Sequence, residues 1–170
     1  MPVIYWCISA DNVNESIETA VASAKARALE TGMAFCHPYD DVDVVAGQGT
    51  LGLELLEDIQ DLAQVIIPLG GGGLLSGTAL AIKQQNPNVK IIGVQISSCA
   101  PYIYGNAPTG PVPTLADGIA VKQPGDVIHC TVLAADVRTI LVQGPVSDWE
   151  SNHLNASGRQ VGDSFFSNPC

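Results

Sequence analysis

The chain of 170 residues is 46% hydrophobic, which is enough length and apolar content to bury the core of one ordinary domain. Its formal net charge of −10, from 17 acidic and 7 basic residues, would repel a phosphate backbone, so nucleic acid is excluded as an expected partner. No segment approaches the ~20 apolar residues of a membrane span. The five cysteines lack the close spacing of a zinc site or a disulfide framework. We therefore expect a cytoplasmic protein that contacts no membrane.

The first part of the chain predicts a strand, a helix and a second strand. Residues 3–8 form a short apolar run, and an amphipathic helix then continues to Gly32, which stops it. Residues 33–36 form another short apolar stretch, followed by a loop through Gly49. The face of the helix expected in the core consists of Ile17, Ala20, Val21, Ala24 and Ala28.

The middle of the chain continues this alternation and predicts an α/β fold. A helix marked by Leu51, Leu55, Leu56 and Ile59 precedes an apolar run at 65–69. A helix at 74–85 and a strand at 89–94 follow. Alternation of this kind is typical of a parallel sheet with crossover helices, whose binding crevice lies beyond the carboxyl ends of the strands. The low aromatic content of 5% also suits buried parallel strands.

The last part of the chain is less regular. Residues 101–113 are rich in proline, glycine and tyrosine, which predicts a loop. Residues 126–135 predict a helix and 139–142 a last strand. Residues 144–170 turn polar without any period, so we expect this tail to be poorly ordered.

Four consecutive glycines between a buried strand and a helix are the strongest chemical signal. Without Cβ atoms, such a backbone can turn sharply and present several N–H groups to an anion, beside the positive end of the helix that begins near Leu74. We expect the loop to bind a phosphate monoester. The alternative is that it is only a tight turn between strand and helix. No Gly-Lys-Ser or Gly-Lys-Thr follows, and Gln95 stands after the next strand where a ribose-binding acid would be needed. Both observations disfavour a nucleotide.

Four motifs point to one family. They are His37-Pro38-Tyr39-Asp40-Asp41, Ala46-Gly47-Gln48-Gly49-Thr50, Pro68-Leu69-Gly70-Gly71-Gly72-Gly73-Leu74 and Ala116-Asp117-Gly118-Ile119-Ala120-Val121. In order and spacing they resemble the threonine dehydratase and serine racemase family of pyridoxal-phosphate (PLP) enzymes, which have the tryptophan synthase beta-like fold type II. The resemblance implies an incomplete fold of this type. Residues 1–36 would end its small domain, residues 37–143 would form the first half of its large domain, and residues 144–170 would be a tail outside the family pattern.

The resemblance also implies a cofactor and a reaction. The family deaminates hydroxy-amino acids such as threonine or serine to a 2-oxo acid and ammonia. The lysine that binds PLP covalently belongs to a Ser-Phe-Lys motif that this chain lacks, so no catalytic residue is assigned to it. The residues expected to hold the cofactor's 5′-phosphate are Gly70, Gly71, Gly72, Gly73 and the amide of Leu74.

Several smaller assignments complete the interpretation. Serine racemases bind a divalent cation through acids at the position of Gln95 and near Pro101, and both acids are replaced here, so no metal is expected. Gln48 and Thr50 are expected to cap the helix that follows them. The Asp117-Gly118 pair is either a loop near the cofactor, as the resemblance implies, or a simple Asp-Gly turn.

Three functions remain open on the sequence alone. The first is a threonine or serine dehydratase-like lyase that is inactive as this fragment. The second is a non-catalytic phosphate-binding or interaction module, which would form a homo-oligomer or bind a partner chain through an open sheet edge. In the third, a separately encoded chain supplies the missing lysine.

Overall fold

The structure is a computed structural model that describes residues 17–142, except residues 107, 111, 113, 127, 129, 130, 133 and 134. The predicted strand at 3–8 and the predicted tail at 144–170 lie outside the described residues. The chain divides into two compact units, Met1–His37 and Pro38–Cys170.

The described part of the first unit contains one helix. Helix α1 spans Ile17–Thr31 and ends before Gly32, as its period predicts. Val21 is buried, but Ile17 is 39% exposed, so the prediction that the whole face is core is wrong for that residue. The strand predicted at 33–36 is also wrong, because these residues pair with no strand in the described ranges. An apolar run this short needs a neighbouring strand to satisfy its backbone groups.

In the second unit, helix α2 spans Val42–Asp58 and begins earlier than the sequence predicts. Asp41 is its N-cap, because its carboxylate accepts a hydrogen bond of 2.9 Å from the amide of Asp43. The loop predicted through Gly49 is therefore wrong. Gln48 and Thr50 lie inside the helix and do not cap it.

In the described part of this unit, three parallel strands form a sheet. Strands β1, β2 and β3 span Gln64–Pro68, Lys90–Ile96 and Arg138–Val142 and lie in the order β1-β2-β3. Helix α3, Gly73–Gln85, connects β1 to β2. Both pairings are parallel, as the alternation of strand and helix predicts. The α/β fold with a parallel sheet and connecting helices is confirmed.

The core lies between the sheet and the helices of the second unit. Leu75, Ala79 and Ile82 on α3 are fully buried and form the inner face of that helix. They pack with apolar residues of the strands and of α2, so that apolar burial of about 1.5–3 kcal/mol for each large side chain holds the layers together. The remaining buried members of this cluster are Val45, Ile67, Leu69, Val89, Ile91, Tyr102, Ile128, Val132 and Ala135.

Shorter elements follow β2. Helix α4, Pro101–Tyr104, lies inside the predicted loop, and a 3-10 turn spans Asp117–Ile119. Asp126, Ile128, Thr131 and Val132 are helical, in agreement with the helix predicted there. In the described ranges, no helix is long and apolar enough to cross a membrane.

Candidate functional site

The glycine loop, defined as residues 70–73, lies at the carboxyl end of β1 and leads directly into α3. The amide of Leu69 donates to the carbonyl of Val94, which extends the pairing with β2 one residue past the strand. Gly72 then takes the left-handed conformation, with φ 95° and ψ −7°, as the N-cap of α3. Only a residue without Cβ adopts this conformation without strain, so Gly72 sets the turn from strand to helix.

The loop is closely surrounded on several sides. A Cβ atom on Gly70 would lie 2.9 Å from the Cα of Ile119. One on Gly71 would collide with the ring of Tyr39, and one on Gly72 would lie 2.6 Å from the hydroxyl of Tyr102. Close packing therefore accounts for the glycines by itself, and evidence for an anion site has to come from the loop's polar groups.

The amides of the loop and of the first turn of α3 provide that evidence. The first helical hydrogen bond runs from the amide of Ser76 to the carbonyl of Gly72, 2.9 Å away, so the preceding amides have no acceptor inside the helix. No residue that the structure describes accepts a hydrogen bond from the amides of residues 70–74. These N–H groups also lie at the positive end of the helix dipole. Amides at a helix N-terminus are suited to binding an anion such as phosphate.

Two side chains donate hydrogen bonds to backbone carbonyls of the same segment. Nε2 of the fully buried Gln95 donates to the carbonyl of Leu69 at 3.4 Å, and the hydroxyl of Tyr102 donates to the carbonyl of Gly71 at 3.0 Å. Burial, together with the nearby Tyr39 and Asp40, raises the pKa of Tyr102 above the usual range of a phenol. Its hydroxyl therefore keeps its proton and remains a donor. The sequence did not single out Tyr102, because nothing local links it to a loop 31 residues away.

A second tyrosine and its neighbour border the loop. Tyr39 places its ring against Gly71, and its hydroxyl donates to the carbonyl of Gln123 at 3.1 Å. The carboxylate of Asp40 accepts a hydrogen bond of 3.2 Å from the amide of Asp126. The sequence analysis gave neither Tyr39 nor Asp40 a role of its own. The signal that could have found them is their place in the His-Pro-Tyr-Asp-Asp motif.

The Asp117-Gly118 pair lies beside the loop. The 3-10 turn that contains it puts the Gly118 carbonyl 3.2 Å from a Cβ built on Gly70. The pair is thus a turn, as one interpretation held. It also lies against the glycine loop, which is the position that the other interpretation requires.

All four lysines of the sequence lie in the described ranges, and three belong to the second unit. Lys83, in the last turn of α3, donates to the Pro87 carbonyl at 3.0 Å, and Lys90 begins β2. Both are at the opposite end of these elements from the glycine loop. Lys122 follows Val121, which adjoins Gly70, but its ammonium donates to the carbonyl of Gly110.

The described ranges contain no group of three or more histidine, cysteine, aspartate or glutamate residues that could hold a metal ion. Gln95 lies at the end of β2, and its amide nitrogen is directed to the Leu69 carbonyl. Its Oε1 has no partner among the described residues.

The fold and the loop define a class of protein. A parallel sheet with a glycine-rich turn at the end of a strand, opening a helix, is a typical phosphate-binding arrangement in α/β proteins. The family described as "Pyridoxal-phosphate dependent enzyme" matches residues 5–142. The chain therefore belongs to this family, as the four motifs predict.

Curated relatives show which members of this family the chain is similar to. The L-threonine ammonia-lyase of Thermotoga maritima is 52% identical over 103 residues, which are 57% of this chain and 25% of that protein. The catabolic L-threonine dehydratase of Escherichia coli is 43% identical over 124 residues, 70% of this chain and 36% of that protein. The chain thus spans 25% to 36% of the length of these two curated relatives.

Solved structures agree with this comparison. Maize serine racemase superposes with a TM-score of 0.67 and 34% identity, over 76% of this chain and 40% of the other. A threonine deaminase isoform of Solanum lycopersicum gives a TM-score of 0.68 and 32% identity, over 76% and 39%. The described architecture is therefore part of PLP fold type II.

Proposed function

We propose that this chain is part of a PLP-dependent ammonia-lyase that converts L-threonine or L-serine to a 2-oxo acid and ammonia, and that its glycine loop holds the cofactor's 5′-phosphate. The observation that carries the proposal is the set of amides at residues 70–74, which have no acceptor among the described residues and lie at the positive end of α3. The threonine ammonia-lyase relatives support the reaction class.

The residues present fit the phosphate end of PLP. The amides of Gly70, Gly71, Gly72, Gly73 and Leu74 would bind the phosphate oxygens. Glycine at each of the four positions lets neighbouring groups approach the loop closely. When bound, PLP supplies an electron sink for the negative charge that develops at the substrate's Cα.

We infer that the isolated chain binds phosphate but does not catalyse the reaction. Lys83 and Lys90 lie away from the loop, and the ammonium of Lys122 is bonded to the Gly110 carbonyl. Covalent attachment of the cofactor needs a lysine amine within reach of the bound cofactor. This sequence contains no Ser-Phe-Lys motif, so the catalytic lysine would be supplied by a segment that carries one.

The test combines binding with activity. Phosphate or PLP should raise the melting temperature of the 170-residue chain by mass action, whereas chloride at equal ionic strength should not. Threonine or serine with PLP should yield no 2-oxo acid. Formation of 2-oxobutyrate from threonine, or of pyruvate from serine, would contradict the inactivity, and a melting temperature unchanged by phosphate would contradict the binding role.

Reduction with borohydride in the presence of PLP sharpens this test. A stable adduct at one lysine, located by mass spectrometry, would show that this lysine has replaced the missing one. Lys122 is the first candidate because Val121, its neighbour, adjoins Gly70. The Lys122→Met variant should then lose the adduct, while a matched Lys90→Met variant should keep it.

A second candidate function is an interaction module that keeps the phosphate site without catalysis. The observation that favours it is the sheet, in which β1 and β3 are both edge strands within the described ranges. Ile66 on β1 is 58% exposed, although parallel strands are usually covered on both faces. A second copy or a partner chain would cover this surface. Sedimentation of the pure chain as a monomer at all concentrations would exclude the homo-oligomer.

We also propose that the protein is located in the cytoplasm. Cys36 is exposed and Cys99 is buried, and their thiols donate to the backbone carbonyls of His37 and Val121. A reducing compartment maintains such thiols. Labelling of Cys36 by a thiol reagent in intact cells, compared with the purified protein, would test this placement.

A further inference from the structure

The carbonyl of Gly71 has a partner that the family comparison does not explain. Tyr102 is 2% exposed, and its hydroxyl donates to this carbonyl at 3.0 Å. The ring reaches the loop from α4, a helix of one turn that begins at Pro101 and ends at Gly105. A buried tyrosine hydroxyl needs a hydrogen-bond partner, but it could have found one anywhere in its surroundings. Its partner is a backbone group in the centre of the candidate anion site.

The bond constrains the next amide. A trans peptide is planar, and its C=O and N–H groups point in opposite directions. No cis peptide occurs among the described residues. With the Gly71 carbonyl directed at Tyr102, the N–H of Gly72 must be directed away from Tyr102. The same peptide enters Gly72, whose φ of 95° sets the course of the chain into α3.

The opposite orientation of this peptide is accessible to glycine. With glycine on both sides of the bond, rotation of the Gly71-Gly72 peptide meets little steric resistance from the chain itself. A rotated peptide would present a carbonyl oxygen to the anion in place of an N–H, and two negative groups would then face each other. Something outside the loop therefore has to select the orientation with the N–H towards the anion.

We propose that Tyr102 is a positioning residue that holds the Gly71-Gly72 peptide with its N–H directed into the anion site. The proposal rests on the function proposed above, since it assumes that the glycine loop binds phosphate. Tyr102 does not touch the anion and acts only through the loop. Gln95 holds the Leu69 carbonyl in a similar way, at 3.4 Å, so side chains are bonded to one carbonyl just before the loop and to one within it.

The Tyr102→Phe substitution removes the hydroxyl and keeps the ring in the core. We expect the dissociation constant for inorganic phosphate, measured by calorimetry on the full 170-residue chain, to rise about fivefold, in line with the loss of one hydrogen bond. Tyr104→Phe is the matched control, because Tyr104 lies on the same short helix and is 55% exposed. It should bind phosphate as the unsubstituted chain does.

A merely structural role predicts a different result. If Tyr102 only stabilises the fold, Tyr102→Phe should lower the melting temperature by the same amount with and without phosphate and leave the dissociation constant unchanged. That outcome would overturn the proposal. A larger loss of melting temperature in the presence of phosphate supports it.

A second measurement keeps the test decisive if the unsubstituted chain binds no phosphate. In that case the proposed function fails, and the peptide orientation can still be examined without a ligand through the 15N–1H resonance and hydrogen exchange of Gly72. Tyr102→Phe should shift and broaden this resonance selectively, whereas Tyr104→Phe should not. An unchanged Gly72 resonance in the Tyr102→Phe variant would overturn the positioning role independently of phosphate.

Discussion

Two groups of glycines serve different purposes in this chain. The first is the glycine loop, and the second is the helix-contact glycines, defined as Gly49 and Gly52 on α2 and Gly77 on α3. A Cβ on Gly52 would lie 2.7 Å from the carbonyl of Thr78, and one on Gly77 would collide with the carbonyl of Val45. In the second group, backbone lies against backbone.

The difference between the groups lies in what happens to the polar atoms. At the helix contact, backbone amides and carbonyls are used within the two helices, and Thr78 adds a hydrogen bond from its hydroxyl to the Gln48 carbonyl at 3.4 Å. Around the glycine loop, the carbonyls of Leu69 and Gly71 are bonded to side chains, while the amides of residues 70–74 have no described acceptor. Glycine thus permits close packing in both places, and only the loop has donors left for a ligand.

The largest expected effect tests the helix contact. Gly77→Ala would drive a Cβ into the Val45 carbonyl and place it 2.7 Å from the Gly49 amide, both rigid backbone groups. We expect a loss of about 3 kcal/mol in the free energy of unfolding, measured by urea titration. Gly47→Ala is the control on α2, because Gly47 is exposed with open space around it. It should stabilise the helix by about 0.5–1 kcal/mol, and equal losses in both variants would refute the distinction.

An intermediate effect is expected in the glycine loop. Gly72→Ala would force a left-handed conformation on alanine and press its Cβ against Ile128 and the Tyr102 hydroxyl. We expect a loss of about 2 kcal/mol in stability, and no rise of melting temperature with phosphate. Gly110 has a φ of 90° but open space around it, so Gly110→Ala should cost only the backbone strain of about 1 kcal/mol and keep phosphate binding. Loss of phosphate binding in Gly110→Ala would show that the loss in Gly72→Ala does not depend on the position of Gly72 in the glycine loop.

The smallest effect concerns the other helix N-terminus. The Asp41 carboxylate caps the first turn of α2, whereas Gly72 gives α3 no side-chain cap. Asp41→Ala should reduce stability by about 1 kcal/mol in urea titration, and Asp41→Asn should restore most of it. Neither should change the dissociation constant for phosphate. A weaker phosphate affinity in Asp41→Ala would mean that the anion site extends to α2.

Local sequence pattern predicted the elements around the site well. Helix α3 and strands β1, β2 and β3 lie within two residues of their predicted bounds, because their apolar residues are bounded by clear breaks such as the glycine run and Asn86-Pro87. The start of α2 was missed because Gly47 and Gly49 favour a loop when read alone. Gly49 is tolerated there because it adjoins Gly77 of α3.

By itself, the sequence determined the alternation of strand and helix, the glycine run at the end of β1, and the motifs that identify the PLP-dependent family. These features depend on residues close together in the chain. Only the tertiary structure decided which loop groups are bonded. Tyr39, Gln95 and Tyr102 reach the loop from separate segments, and a hydrogen bond between distant residues depends on how the intervening chain folds.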